Sequence, residues 1–399
     1  MGTALPDTKN YDAVVVGLGP AGATVAYELS RAGMSVLGLE KQSHPRYKVC
    51  GGGLSVRIDR ILEPDFKNVV EHTINAVQFT YGGEEPFVIE AASPIAYMVM
   101  RDRFDHLLAQ KARDAGTEVH EAEQALDFIP MPEGVEVITD RGRYRTKVLI
   151  GADGANSVVA QRLFPNQKVR RMPSLESEIG IGQTPVYPGE GRILIDLGAT
   201  SRGYAWIFPK KERLSIGVAE FRGRATSPKV VFQRFVREEK GLAGFHVPPP
   251  HGHPLPLYSG RDVTVPHRLV SHRALLVGDA GHLVDPLFGE GIYYAVRSGQ
   301  MAAASVLASF HDDRRSLLDY EAFVTREIYS EFKIASRVAR IVYTFPRLCH
   351  RLMHRYQEVI SLYYDVLRGR ESYQGFFFKA KDVVKASFRE ILRDTLPFN

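Results

Sequence analysis

Cysteine is nearly absent: Cys50 and Cys349 are the only two in 399 residues. Two thiols cannot build a disulfide framework, a four-cysteine zinc site or an iron–sulfur cluster, so no metal is expected and a reducing, cytoplasmic setting fits. Long apolar runs are missing as well. No uncharged stretch approaches the roughly 18 residues of a membrane span, and residues 1–10 lack the apolar core of a secretory signal. No internal repeat or low-complexity segment occurs. With 44% hydrophobic and 24% charged residues, disorder and fibrous architectures are excluded. The length exceeds the roughly 250–300 residues at which one core stops growing, so two or three packed units are expected.

Charge is unevenly placed. The net of +5 hides a C-terminal segment, 331–399, with 13 basic and 7 acidic side chains, which leaves the remaining 330 residues at −1. That segment also holds 12 of the 40 aromatics, among them Tyr363, Tyr364, Phe376, Phe377 and Phe378. Two readings stand: a basic, aromatic surface that sits against anionic lipid headgroups, which would make the protein peripheral on a membrane, or a helical cap whose aromatics are core. No nucleic-acid partner is expected.

Glycine is modestly abundant, and its excess lies in tight motifs. Residues 11–16 are apolar and β-branched, 20–31 read as a helix opened by proline, and 35–39 read as a second strand, which together make a βαβ unit. Between them stands Gly17-Leu18-Gly19-Pro20-Ala21-Gly22. In that context the pattern requires a dinucleotide: Gly17 for the turn, Gly19 for close approach of a pyrophosphate, Gly22 for helix–strand packing, and the helix N-terminus for the anion. Glu40 closes the second strand, where its carboxylate can bind ribose hydroxyls. Further on, 101–115 has helical spacing, strands are expected near 118–128, 134–139 and 144–150, and a run of strands fills 176–221. Pro248–Pro250, Pro254 and Pro256 read as a stiff loop. Residues 289–310 and most of 316–395 read as helical, broken near Pro346 and Gly369.

Two later segments favour FAD over NAD. Gly151-Ala152-Asp153-Gly154 and Gly278-Asp279-Ala280-Gly281 each follow an apolar strand, and Asp279 can accept a hydrogen bond from a flavin's ribityl hydroxyls. Pro286, Gly289 and Gly291 then let backbone approach the ring just before a helix, whose N-terminus favours negative charge on a reduced isoalloxazine. On a separate predicted strand, Tyr204, Trp206 and Phe208 alternate and so share a face. They line either a long apolar trough or an aromatic core between sheets.

With these motifs in place, residues 11–310 resemble the FAD-dependent aromatic-hydroxylase-like oxidoreductase superfamily, and within it the geranylgeranyl reductase family of prenyl-chain reductases. The narrower resemblance rests on Pro45-Arg46-Tyr47-Lys48-Val49-Cys50-Gly51-Gly52-Gly53, similar to the family's Cys-Gly-Gly loop, and on Tyr204-Ala205-Trp206-Ile207-Phe208-Pro209, similar to its Tyr-x-Trp-x-Phe-Pro signature. The resemblance implies an α/β fold: a discontinuous Rossmann-like FAD-binding domain (1–72, 98–172 and 265–330), an inserted antiparallel-sheet substrate domain (73–97 and 173–264) and a C-terminal helical region (331–399). It implies FAD contacts at Gly17, Gly19, Gly22, Ala23, Glu40, Cys50, Gly51, Gly53, Arg101, Ala125, Asp279, Gly291 and Ile292, with Tyr204, Trp206 and Phe208 toward substrate. Ala125 is marked by spacing alone, and Arg103 is a close alternative to Arg101.

The implied reaction saturates C=C bonds of a polyprenyl chain on a lipid, a chlorophyll precursor or a quinone. An isolated alkene has no carbonyl to polarise, so hydride delivery must be coupled to a positioned acid in a dry pocket. Cys50 is the first candidate, ahead of His282 and Asp285. Electrons would come from NADPH or from ferredoxin, a donor protein; no second dinucleotide fingerprint is visible, so tight NADPH binding is not expected. A flavin monooxygenase of the same fold and a non-catalytic prenyl-lipid carrier with structural FAD are the alternatives.

Overall fold

The computed structural model describes residues 9–167, 170–182, 187–220, 227–258, 268–311 and 315–395. The chain divides into two compact units, one of residues 1–48, 101–171 and 255–330, the other of 49–100, 172–254 and 331–399.

The first unit is built on an eight-stranded sheet. Its centre is parallel: Ala274–Leu276, Arg143–Gly151, Asn10–Val16, Val36–Glu40 and Glu118–Glu121 lie side by side in that order. Such strands are covered on both faces and read as unbroken apolar runs, and Val14, Val15, Leu37, Leu149 and Ile150 are fully buried. An antiparallel hairpin, Ala125–Met131 with Gly134–Thr139, adds to Arg143–Gly151. The helix Pro20–Arg31 packs against Arg101–Asp114 and Ile292–His311. Small residues set that spacing: a Cβ on Gly299 would come within 2.7 Å of the Ala21 carbonyl oxygen.

The second unit holds a seven-stranded sheet in the order His251–Leu257, Arg170–Gly180, Arg213–Glu220, Gly203–Pro209, Arg192–Asp196, Ala76–Tyr81 and Glu84–Glu90. Side chains alternate across it. One face gives Ala205, Ile207, Leu214, Ile216 and Val218 to a core closed by Val231, Phe232 and Phe235 of the helix Pro228–Glu238. Tyr204, Trp206 and Phe208 belong to the other face and are absent from that core. The C-terminal helices are tied to this unit: Tyr364 Oη donates to the Ile89 carbonyl at 2.8 Å, Arg368 to that of Ser93 and Arg60 to that of Gly369, both at 2.6 Å.

Several expectations need correction. Residues 49–72 group with the second unit, because Gly53–Ser55 and Val70–Ile74 both pair with Ala96–Val99 in a three-stranded sheet. Residues 331–399 group there too, through the anchors just named. Pro254 and Pro256 lie within the strand His251–Leu257, which is at the edge of its sheet, where a residue lacking an N–H leaves no ladder bond broken. Of the five C-terminal aromatics named from the sequence, Tyr363, Tyr364 and Phe376 are buried, Phe377 is partly buried and Phe378 is exposed, which favours the helical-cap reading of the two for this group. The boundary at 264/265 and the strand end at Phe221 lie outside the described residues.

Candidate functional site

In the first unit the fingerprint turn leaves the sheet at Val16. Gly17 has φ of 92°, and a Cβ there would sit 2.5 Å from the Ala152 carbonyl oxygen; at Gly22 it would sit 1.9 Å from that of Gly17. These two glycines are needed for packing. Gly19 differs, since only Arg46 Nη2 comes within 4 Å of its added Cβ, at 3.8 Å. The helix that begins at Pro20 has no side-chain cap and no acid in its first turn, so its amide end stays available to an anion. Ala23, expected among the phosphate contacts, is fully buried and gives its N–H to the Gly19 carbonyl at 2.9 Å, so neither group faces a ligand.

Glu40 ends its strand 4% exposed, accepting from the Leu18 N–H at 3.0 Å and the Gln42 N–H at 3.2 Å. Arg46 Nη2 is 3.6 Å from Glu40, while its Nη1 donates to Asp105 at 3.1 Å. Arg101 grips the same carboxylate with two bonds, Nε at 2.8 Å and Nη2 at 2.9 Å. Burial acts to raise the Asp105 pKa, but the Arg101 and Arg46 guanidiniums outweigh it and hold the carboxyl below its ordinary range. Arg101 is buried, whereas Arg103 is exposed. Ala125 opens its strand, partly buried, just past Glu123, whose N–H reaches the Glu40 carbonyl at 3.0 Å.

At the start of the helix Ile292–His311, Asp279 and Gly291 meet: a Cβ on Gly291 would lie 3.3 Å from Asp279 Oδ1. Ile292 is buried beside them in sequence. Burial pushes the Asp279 carboxyl above its usual range, opposed by the charges of Lys48 and Arg101. Asp285 Oδ1 accepts from the Leu287 and Phe288 amides at 2.7 and 3.3 Å, holding its own turn, and His282 is buried with φ of 58°.

In the second unit, the Cys50 to Gly53 loop is fitted to the aromatic strand. A Cβ on Gly51 would fall 2.9 Å from the Phe208 ring and 3.3 Å from Trp206 Nε1. Gly52 has φ of 73°, and a Cβ there would meet the Val99 oxygen at 2.1 Å and Lys210 Nζ at 3.2 Å. The Gly52 N–H points to Cys50 Sγ at 3.4 Å, and Gly53 begins the strand Gly53–Ser55. Trp206 is the centre of a ring row, 5.9 Å from Tyr204 and 6.1 Å from Phe208; Tyr204 stacks on Tyr343 at 6.4 Å. The indole lies over Gly217, whose added Cβ would be 2.1 Å from Trp206 Cζ2, and its N–H leads to Ser215 at 3.4 Å. Ser215 donates in turn to the buried Glu176 at 3.0 Å. Lys210 is 1% exposed with its ammonium 3.3 Å from Glu178. The other cysteine, Cys349, lies on the helix Pro346–Arg355, and burial pushes its thiol up to about 11.

Sequence reasoning passed over Arg46, Asp105 and Lys48 in the first unit, and Lys210, Ser215 and Glu176 in the second. Signals existed for four: Arg46 and Lys48 lie in the quoted loop, Asp105 closes the Arg-Asp-Arg-Phe-Asp run one helical turn after Arg101, and Lys210 directly follows the aromatic signature. No cluster of three or more metal-ligating side chains occurs among the described residues.

Residues 10–322 match the model of a family described as FAD binding domain. A geranylgeranyl diphosphate reductase of Rhodobacter capsulatus is 31% identical over 323 residues, 75% of this chain and 75% of its own. A digeranylgeranylglycerophospholipid reductase of Methanocella arvoryzae is 27% identical over 359 residues, 84% of this chain and 88% of its own. Among solved structures, a geranylgeranyl bacteriochlorophyll reductase-like protein of Thermoplasma acidophilum superposes with a TM-score of 0.75 at 21% identity, covering 94% of this chain and 100% of that one. That likeness is one of fold. The first unit's residues fit the FAD that the family model describes: open space over Gly19, an uncapped helix end, an acid at Glu40 and a partly buried carboxyl at Asp279.

Proposed function

This chain belongs to the geranylgeranyl reductase family of FAD-dependent oxidoreductases, and from that premise we propose that it saturates C=C bonds in a polyprenyl chain carried on a lipid, a chlorophyll precursor or a quinone. The observation that carries the reading is the row Tyr204, Trp206 and Phe208, kept off the sheet's own core and overlaid by the Cys50 to Gly53 loop. A row of rings, Tyr204 and Trp206 buried and Phe208 partly exposed, suits a substrate made of methyl-branched alkene units, which offers no polar group to grip. Two relatives are named for prenyl substrates, a diphosphate in one and a glycerophospholipid in the other.

FAD, when bound, supplies the hydride. The chain's own work is the rest. Gly19 and the open helix end take the phosphates, Arg46 and Arg101 are fixed by Asp105 beside them, Glu40 takes ribose and Asp279 the ribityl hydroxyls. Cys50 is the proposed holder of the proton for the second alkene carbon, its Sγ set in place by the Gly52 amide. Electrons would enter from NADPH or from ferredoxin.

The test is to reduce purified holoprotein with dithionite, add a geranylgeranylated phospholipid, and follow the product by mass spectrometry for two hydrogens gained per bond. Saturation that depends on reduced flavin is the expected result. Binding of the lipid without any mass gain would leave a carrier, and hydroxylated product with oxygen uptake a monooxygenase. Cys50→Ala turning over at the wild-type rate would remove Cys50 from the mechanism.

A further inference from the structure

The C-terminal segment contains a surface that neither the reaction nor the core accounts for. From 331 to 357 the chain has six cations, Lys333, Arg337, Arg340, Arg347, Arg351 and Arg355, against the single acid Glu331, a net +5 that equals the charge of the whole protein. All six cations are exposed. The helix Ser330–Thr344 buries Phe332, Ala335, Ala339 and Tyr343, as an amphipathic helix should. Three large apolar residues nevertheless point the other way: Ile341 is 50% exposed, Phe345 58% and Leu348 56%. They fall within eight residues, where that helix gives way to Pro346–Arg355. Single exposed apolar side chains are ordinary, but three together amid cations mark an interaction surface.

We propose that this bend docks on an anionic lipid bilayer, with Ile341, Phe345 and Leu348 entering the headgroup region and the surrounding cations facing lipid phosphates. The charge pattern selects that occupant. A second copy of this chain would bring the same cations against themselves, whereas an anionic membrane offers diffuse negative charge above an apolar layer. Glu85 lies 3.7 Å from Arg347 and 3.8 Å from Arg351 and offsets part of their charge, which makes Arg337 and Arg340 the more informative pair. The aromatic cluster that the sequence pointed to is not this surface, since most of it is core.

Vesicle flotation of the holoprotein tests the docking without any turnover, so its outcome is independent of the reductase reading. Wild type should float with vesicles of phosphatidylcholine containing phosphatidylglycerol, release as salt rises, and stay behind with phosphatidylcholine alone. The double variant Phe345→Ser, Leu348→Ser should lose about tenfold in bound fraction, and Arg337→Glu, Arg340→Glu should lose the preference for anionic lipid. Both alter exposed positions, and unchanged flavin absorbance and thermal midpoint would certify folding. Flotation equal on both lipids, or unchanged in both variants, would overturn the proposal. So would a wild-type dimer that the apolar variant converts to monomer without any vesicle binding, because the face would then join two copies.

Discussion

Gly19 in the first unit and Gly51 in the second are both glycines in loops expected to touch cofactor, yet their surroundings are opposite. A Cβ on Gly19 would meet a single guanidinium atom at 3.8 Å, while one on Gly51 would strike the Phe208 ring at 2.9 Å. Space left open beside an uncapped helix is space kept for something else. Space already filled by a ring is packing, and a glycine there sets the position of a neighbour. The first unit is therefore a cradle whose residues wait on a ligand, and the second a preassembled surface whose residues wait on one another.

The largest expected effect comes from filling the open position. Gly19→Val should fold, with circular dichroism like wild type, and should purify colourless, because the side chain occupies the path of the pyrophosphate. Gly22→Val, whose Cβ would sit 1.9 Å from the Gly17 oxygen, should not fold at all. If Gly19→Val keeps its yellow colour, the cradle reading of the first unit fails.

The mirror experiment is Gly51→Val. Here FAD should remain bound while prenyl turnover falls about 100-fold, the scale of loss when reacting groups are displaced by about 1 Å. Flavin absorbance and turnover measured on the same sample separate the two glycines. Loss of colour in Gly51→Val would mean that the loop holds the cofactor directly and that the contrast between the units is false.

How much of this was legible beforehand follows the same division. The fingerprint turn could be read because its parts are contiguous, and the helix runs over Pro20–Arg31 as its proline start and spacing imply. The facing of Tyr204, Trp206 and Phe208 follows from strand alternation alone. The Arg46–Asp105–Arg101 network was not legible, since Arg46 and Asp105 are 59 positions apart and no local pattern joins them. Nor was the strand through Pro254 and Pro256, because a proline's tolerance depends on whether its strand lies at an edge. The C-terminal aromatics show the same limit: composition reveals rings and charge but not which of them face outward.

That network sets a smaller, structural prediction. Asp105 is fully buried and its two arginines nearly so; Asp105→Asn would remove the carboxylate that the two guanidiniums share, leaving Arg46 the longer approach to Glu40 at 3.6 Å, and should cost about 3 kcal/mol in urea unfolding. In the second unit, Lys210→Met should cost less, because Glu178 keeps Arg213 at 3.4 Å as a partner exposed to water. Equal losses would show that ions matter as much to the ring surface as to the cradle.

The smallest effect separates the units by pH. His350, on the helix Pro346–Arg355, is 1% exposed with its ring 4.9 Å from that of Phe87. Burial lowers its pKa from 6.5; Glu85 and Asp196 favour the protonated ring, and His354 opposes it. A histidine whose folded pKa is depressed takes up protons more readily when unfolded, so its contribution is complete above 6.5 and declines as pH falls below it. Asp105 is shifted downward as an acid, so its contribution is complete above 3.8 and is lost only as pH drops toward its lower folded value. Between pH 6 and 5, then, the segment around His350 should loosen while the cradle holds: amide exchange across 346–367 should rise, with flavin absorbance unchanged. His350→Phe should abolish that rise. If exchange rises equally in the variant, or if colour is lost at the same pH, the second unit is no more acid-sensitive than the first and His350 is not the cause.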